Sequence, residues 1–415
     1  MSESKRKILL LSNLPQRDLE TDTILQRELV SLGFEVRLAE FLPKAREHVL
    51  YYKPDIVIGP EARCEYTIDF YKRCREWGII TVAKRTEGGA AQRAWDVMEQ
   101  WEKDTVIGGW PYSVDLELVW SQEFADLMEK HGYLTKESIY ATGALPMDVY
   151  FLPPKPERVP GRRNIILATG WGHADRTPSY NVPEAPPDSP IHQDAYNRHR
   201  AGRDAWMEMI EKLHYSIPEE WELILRLKVG EYPNEYAEKF GDKIKIAGPC
   251  STRTILTHAD LLIHAGSTMA IEAHLMNVPA ISFWGMQNQT VGYEYPHVSE
   301  DYTDADNLVE AVKRVDFDKS NANLDAVKSL EQEFYGVIDG KACERAAKRI
   351  SIIPPKTCNV PYKWPEEDKE YSFPGVARGY ICWVCESCGK SMYTLDPSLD
   401  MVKCLFCGIS LAKRQ

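Results

Sequence analysis

Four cysteines near the end of the sequence have the spacing of a metal site. The motifs CESCG and CLFCG place Cys385 with Cys388 and Cys404 with Cys407. Two thiolates three residues apart can bind one tetrahedral ion, and the glycine after each pair permits a tight turn that aims backbone N–H groups at the sulfurs. Four cysteine ligands leave no open coordination position. The spacing therefore predicts a structural zinc ion in a small ribbon over residues 378–412.

A second candidate site lies in the segment HAGSTMAIEAHLMN. Gly266, Ser267 and Thr268 form a predicted turn between a buried strand and a helix, where backbone N–H groups and the helix dipole favour a phosphate. Glu272 follows about one helical turn later, where its carboxylate could accept hydrogen bonds from a ribose. An ordinary strand–helix junction, capped by Ser267 or Thr268, would have the same residues.

Two further features of this half of the chain could contact a nucleotide. Arg226 and Lys228 alternate on a predicted strand, so both side chains would point to one face and could neutralise a leaving phosphate. A solvated pair on a sheet edge is the alternative. Gly170 and Gly172 follow the first strand of the same half, and glycines in such a turn allow a ligand to approach the backbone.

Three carboxylates in the first half are candidates for acid–base chemistry. Glu87 lies in the turn TEGG after the strand IITVAK, and open α/β sheets bind ligands at the carboxyl ends of their strands. It could deprotonate an acceptor hydroxyl, although an acid that satisfies N–H groups at a helix start is the alternative. Asp18 and Glu20 are weaker candidates, because acids near a first helix are common. Asp304 and Asp306 form a DxD pattern, but we expect them to cap a helix.

The elements that must position these residues alternate between short apolar strands and amphipathic helices. This alternation predicts parallel, doubly wound sheets. One series covers residues 1–150 and a second covers 164–353. Proline-rich linkers at 151–163 and 354–377 separate the two series from each other and from the ribbon. The polar segment 171–203 predicts a long loop, either functional or disordered.

The segment HAGSTMAIEA, followed by VPAISF, resembles the donor site of GT-B glycosyltransferases and of their relatives, the nucleotide-sugar 2-epimerases. Five other stretches resemble bacterial surface carbohydrate biosynthesis proteins, which are GT-B-like: RDLE from Arg17, TEGG from Thr86, TGALPMD from Thr142, RLKVGE from Arg226 and DGKACER from Asp339. The resemblance extends over residues 7–352. Lys228 replaces the histidine of that family's RPHPxE segment, and Ala144, Leu145 and Pro146 replace the Asn-Pro-Arg of its TGNPRxD segment.

The resemblance implies two Rossmann-like domains with a cleft between them, the nucleotide-sugar donor on the second domain and the acceptor on the first. We therefore expect a glycosyltransferase that moves a sugar to a hydroxyl of a surface glycan. It would be metal-independent, because a helix N-terminus and basic side chains replace the metal. A nucleotide-sugar 2-epimerase that shares the donor site is an alternative. A non-catalytic GT-B-like scaffold and a nucleic-acid-modifying glycosyltransferase are further alternatives.

Composition bears on the partners and the compartment. The 415 residues carry a formal net charge of −12, which disfavours non-specific nucleic-acid binding. No apolar run approaches the roughly 20 residues of a membrane helix, and the first residues do not read as a secretory signal. Cysteines outside the ribbon are scattered, as in a reducing compartment, so we expect a cytoplasmic enzyme. The ribbon could also bind a protein partner.

Overall fold

The computed structural model describes twelve segments and four short strands. The segments are residues 5–13, 15–41, 44–62, 65–86, 114–152, 163–171, 190–228, 231, 233–248, 250–285, 298–317 and 323–356, and the strands lie between 381 and 412. Glu87, Gly172 and the four cysteines of the predicted zinc site lie outside the described residues. In the part of the chain that is described, no helix has both the length and the apolar character needed to cross a membrane.

The chain divides into two compact units. Unit 1 comprises Met1–Leu152 together with Lys328–Gly379, and unit 2 contains Pro153–Val327. The sequence predicted that the second domain extends to residue 353. The structure instead assigns residues 328–353 to unit 1.

Unit 1 contains a six-stranded parallel sheet with strand order β2-β1-β3-β4-β5-β6. The strands are β1 (Lys7–Ser12), β2 (Glu35–Glu40), β3 (Ile56–Pro60), β4 (Ile80–Lys84), β5 (Leu116–Val119) and β6 (Ile139–Ala141). The helices are α1 (Pro15–Ser31), α2 (Ala45–Tyr52), α3 (Glu65–Glu76) and α4 (Gln122–Lys130). Alternate residues of β1 are buried in two separate cores, one against α1 and one against α2, α3 and α4. Cover on both faces explains the nearly continuous apolar strands.

Unit 2 also contains a six-stranded parallel sheet, but its strand order differs: it is β12-β11-β10-β7-β8-β9, so the first strand of this unit, β7, lies between β8 and β10. The strands are β7 (Arg163–Ala168), β8 (Trp221–Arg226), β9 (Lys245–Ile246), β10 (Leu261–His264), β11 (Ala280–Phe283) and β12 (Glu300–Tyr302). The helices are α5 (Pro190–Ser216), α6 (Asn234–Phe240), α7 (Thr252–Thr257), α8 (Met269–Leu275), α9 (Ala305–Arg314) and α10 (Leu324–Ser329). Helices α5, α6 and α9 share one core with the sheet.

Residues 190–203 form the first half of α5, which corrects the predicted loop over 171–203. Arg200 and the fully buried Arg203 donate to Glu235 of α6, at 2.6 and 3.0 Å. These ion pairs join the first half of the helix to α6, and the sequence pattern alone does not reveal them.

The last helix, α11 (Ala342–Ser351), packs on α1 in unit 1. The carboxylate of Asp148 accepts the backbone N–H groups of Ala342 and Cys343, at 3.1 and 2.7 Å. Arg345 donates to the carbonyl of Thr142 at 2.6 Å. These hydrogen bonds join the TGALPMD motif to the DGKACER motif and thereby hold α11 against the rest of unit 1. Gly143 is part of this contact, because its φ is +84° and a Cβ there would lie 2.6 Å from the Val337 carbonyl oxygen.

Candidate functional site

The carboxyl edge of the unit 1 sheet contains a buried ion pair. Lys84 ends β4, and its Nζ lies 2.9 Å from Asp22 Oδ1, with both side chains almost completely buried. Burial alone would lower the pKa of Lys84, but attraction to Asp22 and Asp18 outweighs it and raises that pKa. The ammonium is therefore held in its charged form beneath this edge.

Two of the predicted carboxylates lie on α1, beside this pair. Asp18 is buried and accepts from Arg17 Nε at 2.7 Å. It lies four residues before Asp22 and so shares its helix face. Glu20 is two residues further along α1 than Asp18, about 200° around the helix, and therefore projects from a different face. The structure brings Asp18, but not Glu20, to the buried charges.

The two residues that precede Glu87 are held firmly. Arg85 pairs with Glu117 at 2.8 Å, and its carbonyl accepts from Trp120 Nε1 at 3.0 Å. Thr86 donates to Glu61 through both its backbone N–H and its hydroxyl, at 3.1 and 3.0 Å to Oε2. Glu61 was missed by the sequence analysis. It follows β3 directly, so the strand-end reasoning applied to Glu87 would have found it as well.

In unit 2, a buried carboxylate links the loops that follow β7 and β8. Glu231 accepts hydrogen bonds from the hydroxyls of Thr169 and Tyr236 and from the backbone N–H groups of Lys228 and Trp171. Burial raises its pKa, although these hydrogen bonds act in the opposite direction. The predicted glycine turn and the predicted basic segment are therefore fixed to one another by a residue that the sequence analysis gave no role.

The loop after β10 approaches the loop after β7. A Cβ on Gly170 would lie 3.1 Å from the Ala265 carbonyl oxygen, so a larger residue there would require the two loops to move apart by a few tenths of an ångström. His264 ends β10, and its Nδ1 accepts the Ser267 N–H at 3.1 Å. Its Nε2 lies 2.9 Å from Ser299 Oγ, and the occupied Nδ1 requires that Nε2 carries the proton and donates.

Burial lowers the pKa of His264 to about 4, which keeps the ring neutral in this role. Ser267 Oγ accepts a hydrogen bond from the Met269 N–H at 3.2 Å. The alternative in which Ser267 caps the start of the following helix is therefore correct in part. Among the described residues, none accepts a hydrogen bond from the N–H of Gly266 or Thr268. Two backbone donors of this loop are therefore available to a ligand.

The remaining predicted residues of unit 2 lie near these loops. Strand β8 ends at Arg226, so Lys228 lies beyond the strand and the predicted same-face pair is wrong. Arg226 donates to the Cys250 carbonyl and the Thr252 hydroxyl, at 3.2 and 3.3 Å, whereas the Lys228 side chain is exposed. Glu272 lies in the first turn of α8 and is partly buried.

The predicted metal ligands lie in the connections of two short hairpins. Strands β13 (Ile381–Val384) and β14 (Ser391–Thr394) are antiparallel, as are β15 (Met401–Lys403) and β16 (Ser410–Ala412). Each hairpin connection has six residues, 385–390 and 404–409, and each begins with one of the CxxCG motifs.

No group of three or more His, Cys, Asp or Glu side chains within the described residues could hold a metal ion. Asp304 accepts the Asn307 N–H at 2.9 Å and caps α9, so the DxD pattern is a helix cap, as predicted.

Several solved structures resemble this fold. The wall teichoic acid polymerase TagF, in a form soaked with CDPG, gives a TM-score of 0.53 at 11% identity and covers 83% of this chain and 87% of its own. The UDP-GlcNAc 2-epimerase of Methanocaldococcus jannaschii, in complex with UDP-GlcNAc and UDP, gives 0.51 at 14%, over 84% and 99% of the two chains. S. aureus MnaA with UDP gives 0.51 at 13%, over 83% and 96%.

No protein-family model matches the sequence, and no curated protein matches it either. Two parallel-sheet α/β units with these neighbours define a GT-B fold. The fold is thus the one that the sequence resemblance implied, and it is shared by a polymerase of wall teichoic acid and by UDP-GlcNAc 2-epimerases.

Proposed function

We propose that this protein is an enzyme of nucleotide-activated sugars, and specifically a glycosyltransferase that transfers the sugar to a hydroxyl acceptor in surface glycan biosynthesis. The observation that carries the proposal is the carboxyl edge of unit 2. Two glycine-containing loops meet there, and they offer backbone N–H donors beside basic side chains. The neighbours that share the fold include one soaked with CDPG and others in complex with UDP-GlcNAc or UDP.

In this proposal, unit 2 holds the donor. The free N–H groups of Gly266 and Thr268 bind phosphate oxygens, and the exposed Lys228 adds a positive charge. Glu272 accepts hydrogen bonds from the ribose. Gly170, and Gly172 beyond it, keep the neighbouring loop open to the ligand. Arg226, whose guanidinium is held by the loop before α7, contributes positive charge at longer range.

Unit 1 supplies the acid–base chemistry. Glu87 is our proposed general base for the acceptor hydroxyl, supported by the tight anchoring of Arg85 and Thr86 directly before it. Asp18 is less suited to this role because it already contacts Arg17 and lies beside Lys84. Glu20 projects from another face of α1. No step of this scheme needs a metal ion.

The epimerase alternative shares the donor site, since UDP-GlcNAc 2-epimerases share the fold. Product analysis separates the two. The full-length protein is incubated with UDP-linked and CDP-linked donors, with and without a glycan or lipid-linked hydroxyl acceptor. Transfer requires the acceptor and releases nucleotide, whereas epimerisation proceeds without one. A protein that no nucleotide or nucleotide sugar stabilises against heat would support the non-catalytic scaffold instead.

The Glu87→Gln variant tests the proposed base. We expect transfer to fall by on the order of 10²–10⁴-fold, the usual contribution of a general base, while donor affinity stays nearly unchanged. Glu40→Gln is the matched control, because Glu40 is an exposed carboxylate at the end of the edge strand β2. Near-normal transfer by Glu87→Gln would remove Glu87 from the mechanism and direct attention to Asp18 and Glu20.

We also propose that Cys385, Cys388, Cys404 and Cys407 hold one structural zinc ion. The two short hairpins support this assignment, because in the sequence each CxxCG motif directly follows the first strand of one hairpin. The ion would link the two hairpins, and the ribbon would be a surface for a protein partner rather than part of the chemistry. Buried free thiols such as Cys74 and Cys343 are consistent with a reducing, cytoplasmic setting.

A further inference from the structure

Trp171 carries a buried hydrogen-bond donor that the described structure does not use. The residue is only 4% exposed, yet no described residue accepts a hydrogen bond from its Nε1. An indole N–H can only donate, and a buried donor without an acceptor is costly and uncommon. The described part of the chain therefore provides no acceptor for this N–H.

The indole is held in one orientation. The Cζ3, Cη2 and Cε3 atoms of Trp171 lie 2.2 to 2.7 Å from where a Cβ on Gly202 would be, so the ring packs directly on the α5 backbone. His199 meets the same ring edge-on, at 6.0 Å between centroids. The backbone N–H of Trp171 also donates a hydrogen bond to Glu231, which fixes the backbone at this residue.

Trp171 directly follows Gly170, the residue that touches Ala265 at the start of the β10 loop. The indole thus lies one residue from the contact between the two loops assigned above to the donor. This neighbourhood is rich in donors: the N–H groups of Gly266 and Thr268 and the ammonium of Lys228. An anionic oxygen is the acceptor that such a surface favours.

We propose that the Nε1–H of Trp171 donates a hydrogen bond to a phosphate oxygen of a nucleoside diphosphate, and that Trp171 is thus a further binding residue for the donor. This inference rests on the proposed function, because it assigns the ligand of the same site. It adds a prediction that the proposed function does not make: the contribution of Trp171 depends on the phosphates and not on the base.

Trp206 provides a matched control. It is fully buried in the same core of unit 2, but its Nε1 already donates to the Phe283 carbonyl at 3.1 Å. Trp171→Phe and Trp206→Phe both remove an indole N–H and part of a buried ring. Only the first removes a donor that the folded chain leaves without an acceptor. Thermal unfolding of both variants shows whether each remains folded.

The experiment measures binding by calorimetry, using the full-length protein. The probe is whichever of UDP, CDP, GDP and ADP most stabilises the wild type, together with its nucleoside. We expect Trp171→Phe to weaken diphosphate binding roughly ten- to hundredfold, the worth of a hydrogen bond to a charged group. Nucleoside affinity should change by no more than about twofold, and Trp206→Phe should leave both affinities within about that range.

Three results would overturn the inference. Equal losses of diphosphate and nucleoside affinity in Trp171→Phe would show that the indole N–H does not meet a phosphate. Diphosphate binding as strong as in Trp206→Phe would assign the N–H to a water molecule. If no diphosphate binds the wild type, the proposed function fails and the inference fails with it.

Should Trp171→Phe not fold, Gly202→Ala is the second variant, because the added methyl displaces the ring without removing its N–H, and we expect the same phosphate-dependent loss. A Gly202→Ala protein with wild-type diphosphate affinity would count against the proposal.

Discussion

The carboxyl edges of the two six-stranded parallel sheets differ in their chemistry. In unit 1 the edge is built from buried charges that satisfy one another, Lys84 with Asp22 and Arg85 with Glu117. In unit 2 it is built from glycine loops and a neutral histidine, His264, that leave backbone donors unused. Two parallel sheets of the same size therefore provide a rigid, charged platform in unit 1 and an open, donor-rich surface in unit 2.

This difference matches the division between catalysis in unit 1 and donor binding in unit 2 that we propose. Buried charges hold the end of β4 at a fixed position, which suits a group that must meet a reacting atom. Unused N–H groups suit a phosphate, which needs several donors at once. Each of the following predictions tests one side of this comparison, from the largest expected effect to the smallest.

The largest effect should come from breaking the ion pair in unit 1. Lys84→Met leaves the Asp22 carboxylate buried without its partner and should cost about 3–5 kcal/mol of unfolding free energy. The double variant Asp22→Leu with Lys84→Met should recover most of this loss, because a well-packed apolar pair needs no compensating charge. Urea unfolding measures both.

Lys313→Met is the control for that experiment. Lys313 pairs with Glu310 on the exposed surface of α9, and we expect little change in stability. If the Lys84→Met protein is as stable as the wild type, the view of unit 1 as a charge-stabilised platform is wrong. If the double variant folds but loses transfer activity, the charges also serve the chemistry.

An intermediate effect should come from acid in unit 2. The folded pKa of His264, about 4, lies below its ordinary value of 6.5, mainly because the ring is buried. Asp301 opposes this shift and His274 adds to it. The neutral ring therefore stabilises the fold above pH 6.5, and this contribution is lost as the pH falls toward 4. The loss should be on the order of 3 kcal/mol.

The measurement is the free energy of unfolding between pH 7 and pH 4. The pKa of His274 is also lowered by burial, so it contributes in the same sense. His264→Gln should reduce the pH dependence in this window, and adding His274→Gln should reduce it further. A His264→Gln protein with the wild-type pH dependence would show that His264 does not hold the loop through a neutral ring.

The smallest effect on the two units should follow removal of the metal. Each unit has its own hydrophobic core, so the carboxyl edge of neither sheet should depend on the ribbon. Purified protein should contain about one zinc per chain. Chelation, or Cys385→Ser, should release the zinc but leave the main thermal transition and nucleotide binding unchanged. Zinc-free protein that folds normally throughout would contradict the proposed site.

Local patterns in the sequence were sufficient for most strands of both units. Apolar runs such as IVIGP and LLIH predicted buried parallel strands, because a strand covered on both faces carries its apolar character in adjacent residues. The cap Asp304 was equally local, since its side chain bonds an N–H only three residues away. The CxxCG spacing belongs to the same class of evidence, and its zinc ion stays a prediction.

Only the tertiary structure decided which of these residues meet. Asp148 caps a helix that begins 194 residues later, and Glu231 ties together two loops from different strands. Arg200 and Arg203, in the first half of α5, form ion pairs with Glu235 of α6. The unused N–H of Trp171 depends on where every neighbouring acceptor lies. Such contacts join residues far apart in the chain, so no window of the sequence contains both partners, and only folding brings them within hydrogen-bond distance.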